Sequence, residues 1–175
     1  MKYSIRLFLV FSILISSLSA PQTLLAENKK IFSADKRFID NGDDTITDTK
    51  SGLMWMKKDS YLHIGHWLNW KDSIIFVKMM NQDAFAGYID WRMPTLEELR
   101  TLYEKDKTNS KQLGREMVIH IDPIFAPKGS GSIWSRNTNG VYNAVGMVYN
   151  NGKAFNSKRT DKARKAIRPV RNASD

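Results

Sequence analysis

The 175-residue chain contains no cysteine and only three histidines. Without cysteine there is no disulfide to staple a domain and no thiol to act as a nucleophile, and no lipid-modified cysteine can follow an export leader. His63 and His66 are close enough to suggest a metal site, but Gly65 lies between them and no carboxylate pair is near, so zinc lacks a third ligand. Residues 129–132, GSGS, have neither the Gly-Lys-Ser/Thr ending of a phosphate loop nor the Gly-x-Ser-x-Gly spacing of a nucleophile elbow, and read as a flexible hinge. The acidic loop from Asp40 places Gly42 third and Thr45 sixth, which breaks the EF-hand calcium pattern. A turn held by Asp and Asn side chains is the expectation there. No triad, paired carboxylates or metal set stands out, so the chain reads as a non-enzyme with no cofactor. There is no internal repeat.

The amino terminus reads as an export signal. Lys2 and Arg6 precede an apolar run over residues 7–18, and small residues follow. That run is too short to span a bilayer comfortably, so no transmembrane anchor is expected after cleavage. The expected organisation is a signal peptide over 1–26, cut after Ala26, a linker over 27–36, one domain over 37–171 and a tail over 172–175. The location is the periplasm or the outside of the cell.

Residues 87–102, GYIDWRMPTLEELRTL, organise the rest. Thr95 suits a helix N-cap, and Glu98 three residues on completes a capping box. Pro94 holds the turn before the cap, and Glu97 and Glu98 put negative charge where the helix dipole favours it. Trp91 and Met93 alternate upstream as an extended segment entering the core. Helices are expected near 67–81 and 95–105. In the first, Trp70, Ile74, Val77 and Met80 form the apolar face, with Ile75 and Met79 widening it. Residues 37–56 read as short strands with a type I′ turn at Asn41-Gly42. Residues 57–65 and 105–132 read as irregular, with a brief strand or buried turn at 117–121. Strands are expected at 133–135, 141–150, 153–157 and 163–171. The strand at 141–150 is apolar on both faces and hence central. Pro169 cannot donate to a ladder and must face an edge or bulge.

The motif Asp90-Trp91-Arg92-Met93-Pro94-Thr95 with Glu97-Glu98-Leu99 resembles the DWRLPT-x-x-EL signature of the Lcl C-terminal domain family. Residues 40–48 with Gly52-Leu53-Met54-Trp55 resemble that family's opening DNGDGTVTD…TGLMW, Ile133-Trp134-Ser135 its YWSS, and residues 166–171 its closing VRCVR. The resemblance implies an α+β, C-type lectin-like fold with small antiparallel sheets, two helices and long loops. In such folds the region matching 105–132 commonly binds ligand. Formylglycine-generating enzymes carry a similar turn but use cysteines, so their activity does not transfer. Family cysteines fall at the positions of Val77 and Pro169, which implies that these two segments lie together. One branch of the family ends a collagen-like adhesin that binds sulfated glycosaminoglycans. This chain has no Gly-X-Y stalk.

Charge is the remaining signal. The chain carries +9, and loss of Lys2 and Arg6 with the leader leaves +7. Eight basic residues fall between 153 and 171: Lys153, Lys158, Arg159, Lys162, Arg164, Lys165, Arg168 and Arg171; Asp161 is the only acid. An exposed loop over 158–165 would present Lys158, Arg159, Lys162 and Arg164 to an anionic glycan or other polyanion, with Arg forks matching sulfate or phosphate. Aromatic interleaving is missing, so nucleic acid is not an expected partner. The alternative is a periplasmic structural or interaction module that binds an envelope protein. Oligomeric state is open.

Overall fold

The computed structural model describes residues 30–174, so the expected leader lies outside the described residues. In chain order the elements are β1 (Ile31–Phe32), β2 (Phe38–Asp40), β3 (Thr45–Asp48) and β4 (Leu53–Met56). Then come α1 (Ser60–Ile64), α2 (Trp70–Gln82), a single 3₁₀ turn (Phe85–Gly87) and α3 (Leu96–Thr101). The rest are β5 (Ser110–Lys111), β6 (Val118–Ile119), β7 (Ser132–Asn139), β8 (Asn143–Val148), β9 (Lys153–Lys158), β10 (Lys165–Ala166) and β11 (Val170–Asn172). The fold is α+β. One sheet runs β1-β2-β3-β4-β11, a second runs β10-β7-β8-β9, and β5 pairs with β6. β1 lies inside the stretch expected to be linker, so the sheet begins at Ile31.

The two sheets are sewn together by residues 165–172. β10 runs parallel to β7, with Ala166 opposite Ile133. The chain then crosses to the other sheet, where Val170 pairs antiparallel with Trp55. The single final strand expected over 163–171 is therefore two short strands in different sheets. Pro169 falls between them, outside either ladder, and its carbonyl accepts from Met56 N at 3.0 Å. Val77 and Ile167 share one hydrophobic cluster, which places α2 beside this crossover.

β4 shows why its sequence, LMWM, is apolar throughout. Leu53 and Trp55 enter one core with Phe38, Ile46, Leu99 and Phe125. Met54 and Met56 point the other way, into a second core with Val77, Trp91 and Trp134. Both faces are covered, so a two-residue alternation of polar groups has no place. β8 lies between β7 and β9, as its apolar faces predict. Gly146 is required there: a Cβ would come within 2.3 Å of Ile133 O and 2.4 Å of the Phe155 ring.

The capping box forms as expected. Thr95 Oγ1 accepts from Glu98 N at 3.1 Å, and Glu98 Oε2 accepts from Thr95 N at 2.7 Å. Arg92 grips the same carboxylate with two bonds, of 2.9 and 2.7 Å. Trp91 is 2% exposed; its indole donates to Phe85 O, and its backbone is clasped on both sides by the Asn81 amide.

Three local expectations fail. Residues 57–65 are not irregular: Asp59 caps α1 by accepting from Leu62 N, and the helix ends on Gly65. A five-residue helix is too short to show a 3.6-residue period. In α2 the buried stripe is Ser73, Phe76, Val77 and Met80, while Ile75 and Met79 are 56% and 53% exposed. The helix is turned so that these two face away from the core. The Asn41-Gly42 turn is wider than a two-residue hairpin, with Asn41 N bonded to Thr45 O. Asp43 braces it by accepting from Thr45 N and Oγ1, and Asp40 by accepting from Gly42 N.

Trp91→Ala should cost about 3–5 kcal/mol through the emptied core, and Thr95→Ala roughly 1 kcal/mol through the lost cap. Urea midpoints read both. A wild-type midpoint for Trp91→Ala would contradict its packing role. A pH prediction follows from two carboxylates, the buried Asp48 and the half-buried Glu98. Burial pushes Asp48 and Glu98 up, but bonds from Arg37 and Arg92 outweigh it and hold both below the usual carboxylate range. Each depressed group stabilises the fold above its unfolded pKa of about 4, and that contribution drains away as pH falls through the folded value. Melting temperature should therefore fall on acidification below about pH 4, and Arg92→Met should flatten that slope. An unchanged slope in the variant would refute the assignment.

Candidate functional site

The eight basic residues of the carboxy-terminal stretch divide into structural and surface groups. Arg168 is 2% exposed; Nη1 donates to Met56 O and Lys57 O, and the guanidinium lies over the Phe125 ring. Burial lowers its pKa. Arg171 is equally buried, bonded to Asp90 at 2.7 Å and stacked 3.8 Å from the Tyr88 ring centre. Lys165 turns inward too, pairing with Asp161 at 2.5 Å above the Trp134 and Phe155 rings. None of these three belongs to an open binding loop.

The loop itself is pinned. Asp161 accepts from Lys165 Nζ, Ser157 Oγ and Ala163 N, bonds that hold its carboxyl down at about 2. Arg164 turns through a left-handed backbone (φ 53°), and its carbonyl accepts from Ser130 Oγ. Its side chain is exposed, as are those of Lys158 and Lys162. Lys162 reaches Asp72 on α2 at 2.9 Å.

Arg159 is only partly available. Its Nη2 donates to Gly140 O at 2.8 Å and its Nε to Asn143 O at 3.2 Å, and the guanidinium lies over the Trp70 ring. It rivets the β7–β8 hairpin tip to α2. That tip carries Val141 and Tyr142, which are 75% and 82% exposed. Together these elements shape a groove of about 760 Å³ lined by Lys71, Tyr142, Asn143, Lys158, Arg159 and Thr160. The structure thus brings Lys158 and Arg159 together and leaves Lys162 and Arg164 outside the groove. Lys71 and Tyr142 join from distant positions. Tyr142 was hidden in an expected strand over 141–150, although Asn139-Gly140 just ahead of it is a turn signal. Lys71 carried no signal in the sequence.

The region 129–132 is not a hinge. Ser130 N donates to the buried Asp59 carboxylate at 2.6 Å, and Gly131 N to Gln112 Oε1 at 3.1 Å. A Cβ on Gly129 would sit 2.3 Å from Asp59 Oδ2, so glycine admits the approach. In the long loop, Lys111, Arg115, Glu116 and Lys128 border a second concavity of about 360 Å³, in which Glu116 pairs with Lys111.

One cluster has the look of a cation site. Oxygens of Asp35, Glu104 and Asp122 lie within 4.8 Å of one another. Lys107 Nζ stands among them, at 2.6, 3.0 and 2.6 Å respectively. Burial opposes its charge, but the three carboxylates win and hold its pKa above the usual lysine value. A fixed ammonium already supplies the positive charge that such a cluster needs. His63 sits edge-on to Phe76 and Phe85 and serves their packing.

Among the described residues, no helix is long and apolar enough to cross a membrane. A comparison with curated proteins finds no match. The model of the Lcl C-terminal domain matches residues 44–171, from the β2–β3 loop through the sheet-to-sheet crossover to the Asp90-bound arginine. A match over that much of the chain makes this protein a member of the Lcl C-terminal domain family.

Proposed function

We propose that the chain is an exported, non-enzymatic binding module that recognises an anionic or sulfated carbohydrate at the cell envelope or outside the cell. The observation that carries this is the groove beside the hairpin tip. Two lysines from separate elements, Lys71 and Lys158, border it together with the exposed Tyr142 ring. Ammonium groups suit sulfate or carboxylate, and an aromatic face suits the apolar side of a sugar ring. Arg159 acts here as a positioning residue. By holding the tip through two carbonyls it fixes Tyr142 relative to Lys158 before any ligand arrives, which lowers the ordering cost of binding. Lys162 and Arg164 extend the positive surface along the same loop and add long-range attraction. The leader-like amino terminus and the +7 charge of the expected mature form fit an exported protein meeting polyanions.

Heparin affinity chromatography at low salt tests the proposal. Wild-type protein should be retained and should elute earlier as salt rises, because exposed charges are screened within about 8 Å at physiological ionic strength. A variant with Lys71, Lys158, Lys162 and Arg164 all changed to Ser should pass through. Its melting temperature should stay within about 2 °C of wild type, since exposed charges contribute little to stability. Arg159→Ala should instead lower the melting temperature by about 4 °C, from loss of two hydrogen bonds and a ring contact. Full retention of the quadruple variant would move the site to the Lys111–Arg115–Lys128 surface. No retention of wild type would defeat the polyanion reading and favour a protein partner.

A further inference from the structure

The outer face of α2 is not explained by glycan binding. Lys71, Ile75, Lys78, Met79 and Gln82 all lie on it and are all exposed. At 100° per residue they fall within a single arc of about 100° opposite the buried stripe. Ile75 and Met79 expose more than half their surface, and Ile64 from α1 adds another apolar side chain at 38%. These three border a shallow apolar groove with His66, Leu68 and Phe76. The face continues into the hairpin tip, because Lys71 also lines the groove of Val141 and Tyr142. The acid within it, Asp72, is matched by Lys162 at 2.9 Å. What results is a surface of aliphatic side chains and one tyrosine interleaved with Lys71 and Lys78, which make no ion pair among the described residues, on a chain of net charge +9.

We infer that this face seats on an anionic lipid surface, with Ile75, Met79 and Ile64 entering the headgroup boundary and Lys71 and Lys78 meeting the phosphates. The chemistry selects this occupant. Lysine is depleted from the centres of protein–protein interfaces, whereas a helix lying in a membrane surface places lysines beside its apolar stripe. The long methylene stem of lysine lets the ammonium stay at phosphate level while neighbouring side chains go deeper. Each lysine near such a surface adds attraction that fades within a Debye length. Tyrosine, apolar in body and polar at the tip, suits the same depth. Contact of this kind would hold the polyanion groove at the membrane plane without an anchor.

Flotation of the chain from Glu27 onward, which carries every described element, tests this. Vesicles of phosphatidylglycerol and of phosphatidylcholine serve as probes. Wild type should float with the first and stay behind with the second. Ile75→Gln with Met79→Gln should cut partition at least about tenfold, since two half-exposed side chains no longer bury apolar area. The same variant should keep wild-type heparin elution and melting temperature, which separates this proposal from the glycan reading. Lys71→Ser with Lys78→Ser should also reduce flotation, more at low salt than at high. Failure of wild type to float with phosphatidylglycerol, or undiminished flotation of the Gln variant, would overturn the inference. So would a wild-type dimer in solution that the Gln variant dissolves, which would assign the face to a second copy of the chain.

Discussion

The carboxylate of Asp59 is the constraint around which the two sheets are assembled. It is fully buried, and a buried charge that is not satisfied costs several kcal/mol. Three separate segments supply what it needs. Leu62 N donates to one oxygen as the first turn of α1 forms, and Ser130 N donates to the other. The Arg168 guanidinium faces it at 3.9 Å from the crossover. Each donor also fixes something larger. The first sets the start of a helix, the second fixes the segment 129–131 that leads into β7, and the third aligns the passage from one sheet to the other. Gly129 completes the arrangement by leaving room for the approach. Loss of the carboxylate would leave Arg168 as an uncompensated buried charge, with consequences in both sheets.

The same economy governs the cations. A run of eight basic residues suggests an open, positively charged tail. Packing withdraws Arg168 and Arg171 into the interior and folds Lys165 over two aromatic rings. Arg159 is spent on carbonyls and the Trp70 face. The free positive surface is smaller than the composition implies, but it is better defined. Part of it, Lys71 and Lys158, borders the same groove as the exposed Tyr142 at a hairpin tip that is itself held in place.

Much of the fold was legible in the sequence where local chemistry decides it. The Thr95–Glu98 box, the Trp91 core position, the two-faced apolar strands and the central place of β8 all rest on residues close together in the chain. The larger misreadings come from distant contacts. Nothing near Ser130 announces Asp59, seventy-one positions away. Pro169 announced a break in pairing near Ile167, but nothing local shows that the chain changes sheets there. Ile75 and Met79 fit an apolar stripe on paper, but α2 is rotated by its packing against Trp91 and Trp134, whose cluster takes Phe76 instead. Of the candidate site, Lys158 and Arg159 were legible from charge alone. The partners that give it a shape, Lys71 and Tyr142, come from a helix and a loop tip that only tertiary structure brings together.

The position of β11 has a bearing on how the domain comes into being. The sheet begun by the first described strands is closed on the β4 side only by residues 170–172. Until those residues leave the ribosome, the Trp55 edge has no partner and Arg168 is absent from Asp59. A chain emerging from its amino terminus therefore has no complete core to collapse onto. Pairings of such long sequence separation also form slowly, because a large loop must close before any contact rewards it. Closure of the first sheet thus waits on the crossover segment, whose Arg168 reaches back 112 positions to the Met56 carbonyl, so the core is completed in one late step rather than strand by strand.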